Sequence, residues 1–103
     1  MKIKRIRALK VNSYKFTVKW SKEHDYASFN YANTEIDIGV KENNDDYIFM
    51  LICHELMEIC AIEMFVRYRR PDVDSDYMFV YDHRQHTTMM DMFAGLLTQF
   101  IGD

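Results

Sequence analysis

Three side chains that can bind a metal or transfer a proton stand close together in the apolar stretch from Asp46 to Arg70. They are His54, Glu55 and Glu58. On an α-helix, with about 100° between successive residues, Glu58 lies about 40° from His54 on the next turn, whereas Glu55 lies about 100° to one side. One ion can therefore contact His54 and Glu58 together, with Glu55 beside them.

The rest of this predicted helix is apolar around most of its circumference, which indicates burial on nearly every side. An ionised carboxylate in such surroundings is costly unless it is paired, hydrogen-bonded or bound to a metal. Two carboxylates one turn apart also repel each other. A divalent cation removes both problems, so the pattern predicts a metal site.

A second helix is predicted to bring histidines to the same place. Asp82 and Gln85 form an Asp-x-x-Gln capping box, and the helix that starts there is predicted to run to about Ile101. His86 is predicted to point into the core and His83 to lie at the flank, about 80° away from the inward axis. That inward face is defined by apolar residues: Met89, Phe93, Leu96, Leu97 and Phe100.

His54, Glu58 and His86 together offer a divalent ion two imidazoles and one carboxylate, and they leave a fourth position for water, as a catalytic zinc site requires. Glu55 is turned sideways and can accept a proton from the metal-bound water. Three roles stay open for His83: a fourth ligand, a hydrogen-bond partner of a ligand, or an ordinary residue of the first helical turn. The predicted cofactor is Zn²⁺, because these groups converge from two otherwise apolar helix faces.

Four strands are predicted before the first helix. Lys2 to Val11 and Tyr14 to Trp20 alternate apolar with basic residues, which predicts an antiparallel pair with one solvent-facing side. Tyr26 to Tyr31 and Glu35 to Val40 predict a hairpin closed by Asn33. The predicted fold class is therefore α+β, with about four mostly antiparallel strands packed on a buried helix and a C-terminal helix.

The limits of the first helix are also predicted. Asn44 or Asp45 is placed to cap its N-terminus, and Pro71 forbids its continuation, so the helix is predicted to reach Arg70. Residues 71–82 are predicted to form a connecting stretch.

The composition predicts one domain that covers residues 1–103. Hydrophobic residues make up 49% of the chain, enough for a single core at this length. No apolar run approaches the ~18 residues of a membrane span, and the N-terminus lacks a signal-peptide core. Cys53 and Cys60 are too far apart on one helix for a disulfide. These features predict a cytoplasmic protein with no membrane partner.

The net charge of −3 hides an asymmetry, because residues 1–22 hold eight Lys or Arg and no acid. Lysines that alternate with apolar residues are most often the solvated face of a strand, and the pattern alone favours that interpretation. The alternative is weak, nonspecific nucleic-acid binding through the basic N-terminal strands.

This order of motifs resembles the small zincin-like metallopeptidase domains that phages and prophages often encode, and the likeness covers most of the chain. In that family two basic alternating strands, a hairpin similar to SFNYANTEIDIG and an acidic loop lead into a helix with a His-Glu-Leu motif, here His54, Glu55 and Leu56. The resemblance implies that His54 is a zinc ligand and Glu55 the catalytic base. Glu58 replaces the second motif histidine, and the distal ligand, often glutamate in gluzincins, is here predicted to be a histidine.

Two functions are compatible with the sequence. The first is a zinc metallopeptidase of a bacterial host's cytoplasm, in which Glu55 activates metal-bound water and the edge strand Glu35 to Val40 aligns a peptide or protein substrate. The alternative is a non-catalytic, metal-stapled phage or prophage protein that binds a host protein or nucleic acid. A two-iron carboxylate site is disfavoured, because it requires a four-helix bundle and only two helices are predicted.

Overall fold

The structure, a computed structural model, describes residues 2–74 and 76–102 and confirms the α+β class. Four strands form one sheet, and two further pairs of short strands form small antiparallel sheets. In chain order the elements are β1 (Lys2–Ile3), β2 (Ala8–Val11), β3 (Tyr14–Ser21), β4 (Ala27–Asn30), β5 (Glu35–Gly39), α1 (Asp45–Glu63), β6 (Arg67–Arg69), β7 (Tyr77–Phe79), α2 (His83–Thr98) and β8 (Ile101–Gly102).

Both predicted hairpins form, and a parallel ladder joins them. β2 pairs antiparallel with β3, and β4 pairs antiparallel with β5, while β3 and β5 run parallel in the middle of the sheet. Asn12 supports the first turn with a φ of 52°. The second turn contains Asn33, as predicted, and its positive φ, 47°, falls on the next residue, Thr34.

The first predicted strand is divided in two. Only Ala8–Val11 pairs with β3, whereas Lys2–Ile3 pairs with Ile101–Gly102 near the other end of the chain. The predicted end of the last helix at Ile101 is wrong for the same reason. α2 ends at Thr98, and the residues after it form the strand that β1 needs as a partner.

The first helix begins where the sequence predicts and ends seven residues early. Asn44 is the N-cap, and its side chain accepts a hydrogen bond from the Tyr47 N–H. After Glu63 the chain forms a Schellman turn, in which Phe65 has a φ of 59° and the Val66 N–H donates to the Ala61 carbonyl. Because the left-handed conformation at Phe65 reverses the chain, the predicted helical residues 67–69 form β6 instead.

One hydrophobic core lies between the sheet and the two helices. The end of α1 is fastened to the sheet by Glu63, whose carboxylate accepts hydrogen bonds from the Tyr14 and Tyr31 hydroxyls and from the Asn12 side chain. Neither described helix combines the length and the apolar character that a bilayer crossing requires. The largest fully buried side chains include Phe16, Ile36, Ile38, Ile52, Leu56, Ile59, Met89 and Phe100.

Gly39→Ala is expected to destabilise the fold by about 2 kcal/mol, because backbone would have to move to admit the methyl group. A Cβ at this position would lie 2.5 Å from the His24 carbonyl oxygen and 2.6 Å from that of Tyr26. The matched control is Gly95→Ala in α2, where a Cβ meets nothing within 4 Å. It should stabilise the protein by up to about 1 kcal/mol, as alanine does in a helix interior. Urea unfolding of both variants measures the difference, and equal effects would contradict the close packing at Gly39.

Candidate metal centre

The middle of α1 brings together the three residues that the sequence singles out. His54 is exposed, Glu58 is half-buried and Glu55 is buried. One ligand atom from each of the three lies within 4.8 Å of the others. The predicted convergence of His54 and Glu58 on adjacent turns is therefore present in the structure.

Glu58 is paired through both of its carboxylate oxygens. Oε2 lies 2.8 Å from His54 Nε2, and Oε1 lies 3.2 Å from Arg67 Nη2. The first contact is the expected i, i+4 neighbour on the helix. The second comes from β6, a different element, so the carboxylate is held from two sides.

Arg67 is held in place by aromatic rings as well as by its ion pair. Its guanidinium carbon lies 3.6 Å from the centre of the Tyr77 ring and 5.6 Å from that of Phe29. These are cation–π contacts, which add attraction where water is excluded. Its Nε is buried and has no hydrogen-bond partner among the described residues. The guanidinium is thus fixed between β4, β7 and the acidic side chain of α1.

Sequence reasoning missed Arg67, because a helix continued to Arg70 would place this residue about 13 Å along the axis from Glu58. The Schellman turn returns the chain along α1 and closes that distance. A signal was present: residues 66–69 alternate apolar with basic, and an apolar run follows from Tyr77 to Tyr81. Two such segments on either side of Pro71 and its acidic neighbours indicate a hairpin, and this is what β6 and β7 form.

Glu55 differs from the other two residues in its surroundings. It is the one buried charged residue among the described part of the chain, and it forms no salt bridge there. Burial raises the pKa of Glu55 to about 7, with His54 and Arg67 opposing the rise and Glu58 adding to it. A carboxyl group with that pKa can accept and release a proton near neutral pH, as a general base must.

The two histidines of α2 lie outside this cluster. His86 and His83 are both exposed, so the prediction that His86 points into the core is wrong. The His86 ring stacks on Tyr81, with 5.8 Å between ring centres and 19° between planes. His83 lies in the first turn of α2 after the Asp82 cap, where its carbonyl accepts from the Thr87 hydroxyl. Within the described residues, the metal-competent cluster is therefore His54, Glu55 and Glu58.

A cleft of about 810 Å³ opens beside the cluster. Its polar lining is His54, Glu58, Arg67 and Asp76, and its remaining lining is mostly apolar: Met50, Cys53, Met57, Ala61, Tyr77, Phe79, Tyr81 and Met89. His86 is not one of the lining residues, although Tyr81, on which its ring stacks, is one. The site is therefore open to a ligand much larger than water.

The strand predicted to align a substrate is in the wrong place for that role. β5 is hydrogen-bonded on one side to β3 and on the other to β4, so it has no free edge. β7 pairs only with β6 among the described strands, and two of its residues, Tyr77 and Phe79, line the cleft. The outer edge of β7 is thus unpaired within the described chain and lies at the cleft.

The donor set suits a divalent ion. Imidazole nitrogen and carboxylate oxygen are both zinc ligands at ~2.0–2.2 Å, so tetrahedral ligand atoms lie roughly 3.3 Å apart. His54 Nε2 and Glu58 Oε2 are 2.8 Å apart, so they have to move apart only slightly to bind one ion. A ligand atom of Glu55 lies within 4.8 Å of the other two residues' ligand atoms. The donor types of the three residues and the proximity of their ligand atoms therefore fit a divalent ion.

The chain matches no family model, no curated protein and no solved structure. The resemblance to zincin-like domains accordingly rests on the residues quoted for it. It stays a prediction.

Proposed function

We propose that this protein is a zinc-dependent hydrolase that cleaves peptide bonds. The observation that carries the proposal is the cluster itself: His54 and the half-buried Glu58 line a large cleft, and the buried Glu55, whose pKa is raised, lies within 4.8 Å of both. A buried carboxylate without a partner lowers the stability of the fold. Its presence therefore indicates a function that outweighs this loss. Perturbed acids beside clefts are concentrated at functional sites.

Each residue then has a defined role. His54 and Glu58 hold the ion, which when bound supplies a Lewis acid that polarises a carbonyl and acidifies water. Glu55 accepts the proton of the attacking water and returns a proton to the leaving amine. Arg67 orients Glu58 through the oxygen that faces away from His54. His86, which the sequence predicts as the third ligand, lies outside the cluster in the structure, so its ring would have to leave Tyr81 and move toward His54 and Glu58 to bind the ion.

The cleft supports a peptide substrate with bulky apolar side chains. Its aromatic and methionine lining favours such groups, and methionine adapts to their shape. An extended peptide can add to the free edge of β7 through main-chain hydrogen bonds and lie across the cleft.

One observation favours the second candidate, a non-catalytic binding module. Both oxygens of Glu58 are already paired, with His54 and with Arg67, so this network is complete without a metal. In that case the aromatic cleft binds a segment of a host protein and nothing is cleaved. Zinc content and hydrolysis separate the two candidates.

Elemental analysis of protein purified without added metal is expected to find one zinc per chain. His54→Ala and His86→Ala should each lose stoichiometric zinc and lower the melting temperature, because metal binding to the folded state stabilises it. His83→Ala is the matched control in the same helical turn and should lose zinc only in part. Full zinc in His86→Ala together with loss in Glu55→Gln would make Glu55 the third ligand. If the wild type contains no zinc, even after dialysis against a zinc solution, the proposal of a metal site is wrong.

A further inference from the structure

A second concave surface lies on the basic strands, away from the candidate metal centre. It is a groove of about 560 Å³ lined by Arg5, Arg7, Thr17, Val18, Lys19 and Trp20. Three of these six residues are cations and none is an acid. We call this surface the basic groove.

The charges of the basic groove are scarcely neutralised by the protein. Among the described residues, Arg5 donates only to the neutral Asn43 side chain, at 3.3 Å. Lys19 approaches Glu35 at 4.0 Å, the outer limit of an ion pair, and both side chains keep substantial exposure. Arg7 forms no salt bridge within the described chain. A positive potential therefore remains available to a partner.

The strand face beside the groove extends this potential. Lys10 and Lys15 stand directly opposite each other in the β2–β3 ladder, and both are exposed. Like charges at such a position destabilise a sheet. Lys15 and Lys19 project from the same face of β3, about 13 Å apart along the strand. Trp20 projects from the opposite face of β3, so Lys10 and Lys15 add long-range attraction, and the cations that line the groove itself are Arg5, Arg7 and Lys19.

The groove also offers flat surfaces. The Trp20 indole is fixed by a 2.8 Å hydrogen bond from Nε1 to the Ile6 carbonyl and by an edge contact with Phe100. The Arg5 guanidinium lies 5.7 Å from the centre of the Trp20 ring. Indole and guanidinium planes are the groups on which unpaired bases stack.

We infer that the basic groove binds single-stranded nucleic acid without regard to sequence. Arg5, Arg7 and Lys19, the three cations that line the groove, contact the phosphates, and Trp20 with Arg5 receives a base. A single strand fits better than a duplex, because a duplex groove is entered by a protruding helix or ribbon and this surface is concave. Its volume is in the range that encloses small ligands, which suits one or two nucleotides. An acidic peptide would satisfy the cations but would leave the planar groups unused.

The test uses the intact protein and a fluorescein-labelled 12-nucleotide oligodeoxythymidine. Trp20 is the single tryptophan of the chain, so base stacking should quench the intrinsic fluorescence. We expect quenching by the unlabelled strand to saturate at the same concentration as the anisotropy of the labelled strand. With three phosphate contacts, log K should fall with log[salt] with a slope of about −2.

Arg7→Glu and Lys41→Glu form a matched pair for this test. Both reverse one exposed cation, so they change the net charge equally, but Lys41 lies outside the groove. We expect Arg7→Glu to weaken binding roughly 10-fold and to flatten the salt slope, and Lys41→Glu to change the affinity less than about 2-fold. Circular dichroism establishes that each variant is folded.

Four outcomes overturn the inference. The first is that no binding occurs at 25 mM salt, and the second is that Arg7→Glu and Lys41→Glu reduce the affinity equally. The third is that a duplex binds more tightly than the single strand of the same length. The fourth is that polyglutamate displaces the labelled strand as well as the unlabelled strand does. The last would identify the surface as an acidic-protein site. Because none of these readouts involves zinc, the result is independent of the proposed hydrolase.

Discussion

Glu55→Gln is expected to reduce peptide hydrolysis by about 100-fold or more while the zinc content stays unchanged. Glutamine keeps the shape of the side chain but cannot accept the proton of the attacking water. The buried position of Glu55 beside His54 and Glu58 makes this the substitution that isolates general-base catalysis from metal binding. Cleavage of an unfolded protein substrate, with zinc measured on the same samples, provides the readout.

Glu42→Gln is a suitable control, because it removes one exposed carboxylate from the loop before α1. It should leave hydrolysis at the wild-type rate. Full activity in Glu55→Gln would show that the hydrolysis comes from another site or a contaminant. If the wild type cleaves no substrate and Glu55→Gln binds a partner protein as well as the wild type does, the binding-module candidate is the correct one.

The same substitution has an expected effect on the stability of the metal-free protein. Because burial raises the pKa of Glu55 from its ordinary 4.5 to about 7, the folded state binds more protons than the unfolded state between these values. The free energy of unfolding should therefore fall as the pH rises from 4.5 to 7, by on the order of 3 kcal/mol at most. Glu55→Gln removes this titration. Chelator-treated variant should be the more stable protein at pH 8, and a wild-type advantage at that pH would contradict the burial argument.

Arg67→Met is expected to weaken zinc binding by about 10-fold to 100-fold, the range observed when partners of metal ligands are removed. Methionine retains contact with the Tyr77 and Phe29 rings but gives up the ion pair with Glu58. Glu58 then loses the group that fixes its carboxylate. Competition titration against a zinc chelator of known affinity measures the change.

Two further variants test whether the effect on zinc affinity depends on the position of Arg67 in the strand or only on its charge. Arg69→Met removes an exposed arginine from the same strand and should leave zinc affinity within about 2-fold of wild type. Arg67→Lys keeps the charge but loses the planar group that stacks on Tyr77, so an intermediate loss is expected. An unchanged affinity in Arg67→Met would show that Glu58 needs no support from β6.

The features that depend on neighbouring residues along the chain could be predicted before the structure was known. The Asn44 cap, the capping box at Asp82 and the two hairpins were predicted, since each follows from local hydrogen bonds or from period-two alternation. The proximity of His54, Glu55 and Glu58 was predicted on the same basis, because helical geometry alone sets their relative directions.

Only the tertiary structure decided how the site is completed. Phe65 adopts a left-handed conformation that glycine usually occupies, so no residue type marked the end of α1, and the packing of Val66 and the β6–β7 hairpin outweighed the helical pattern. That turn brings Arg67 to Glu58. The direction of His86 was predicted wrongly. A helical wheel gives the angle of each residue about the helix axis, but it does not show at which residue the helix begins to contact its neighbour. Long-range packing therefore set both the arginine and the histidine relative to the cluster, although the alternation of residues 66–69 is a local signal for β6.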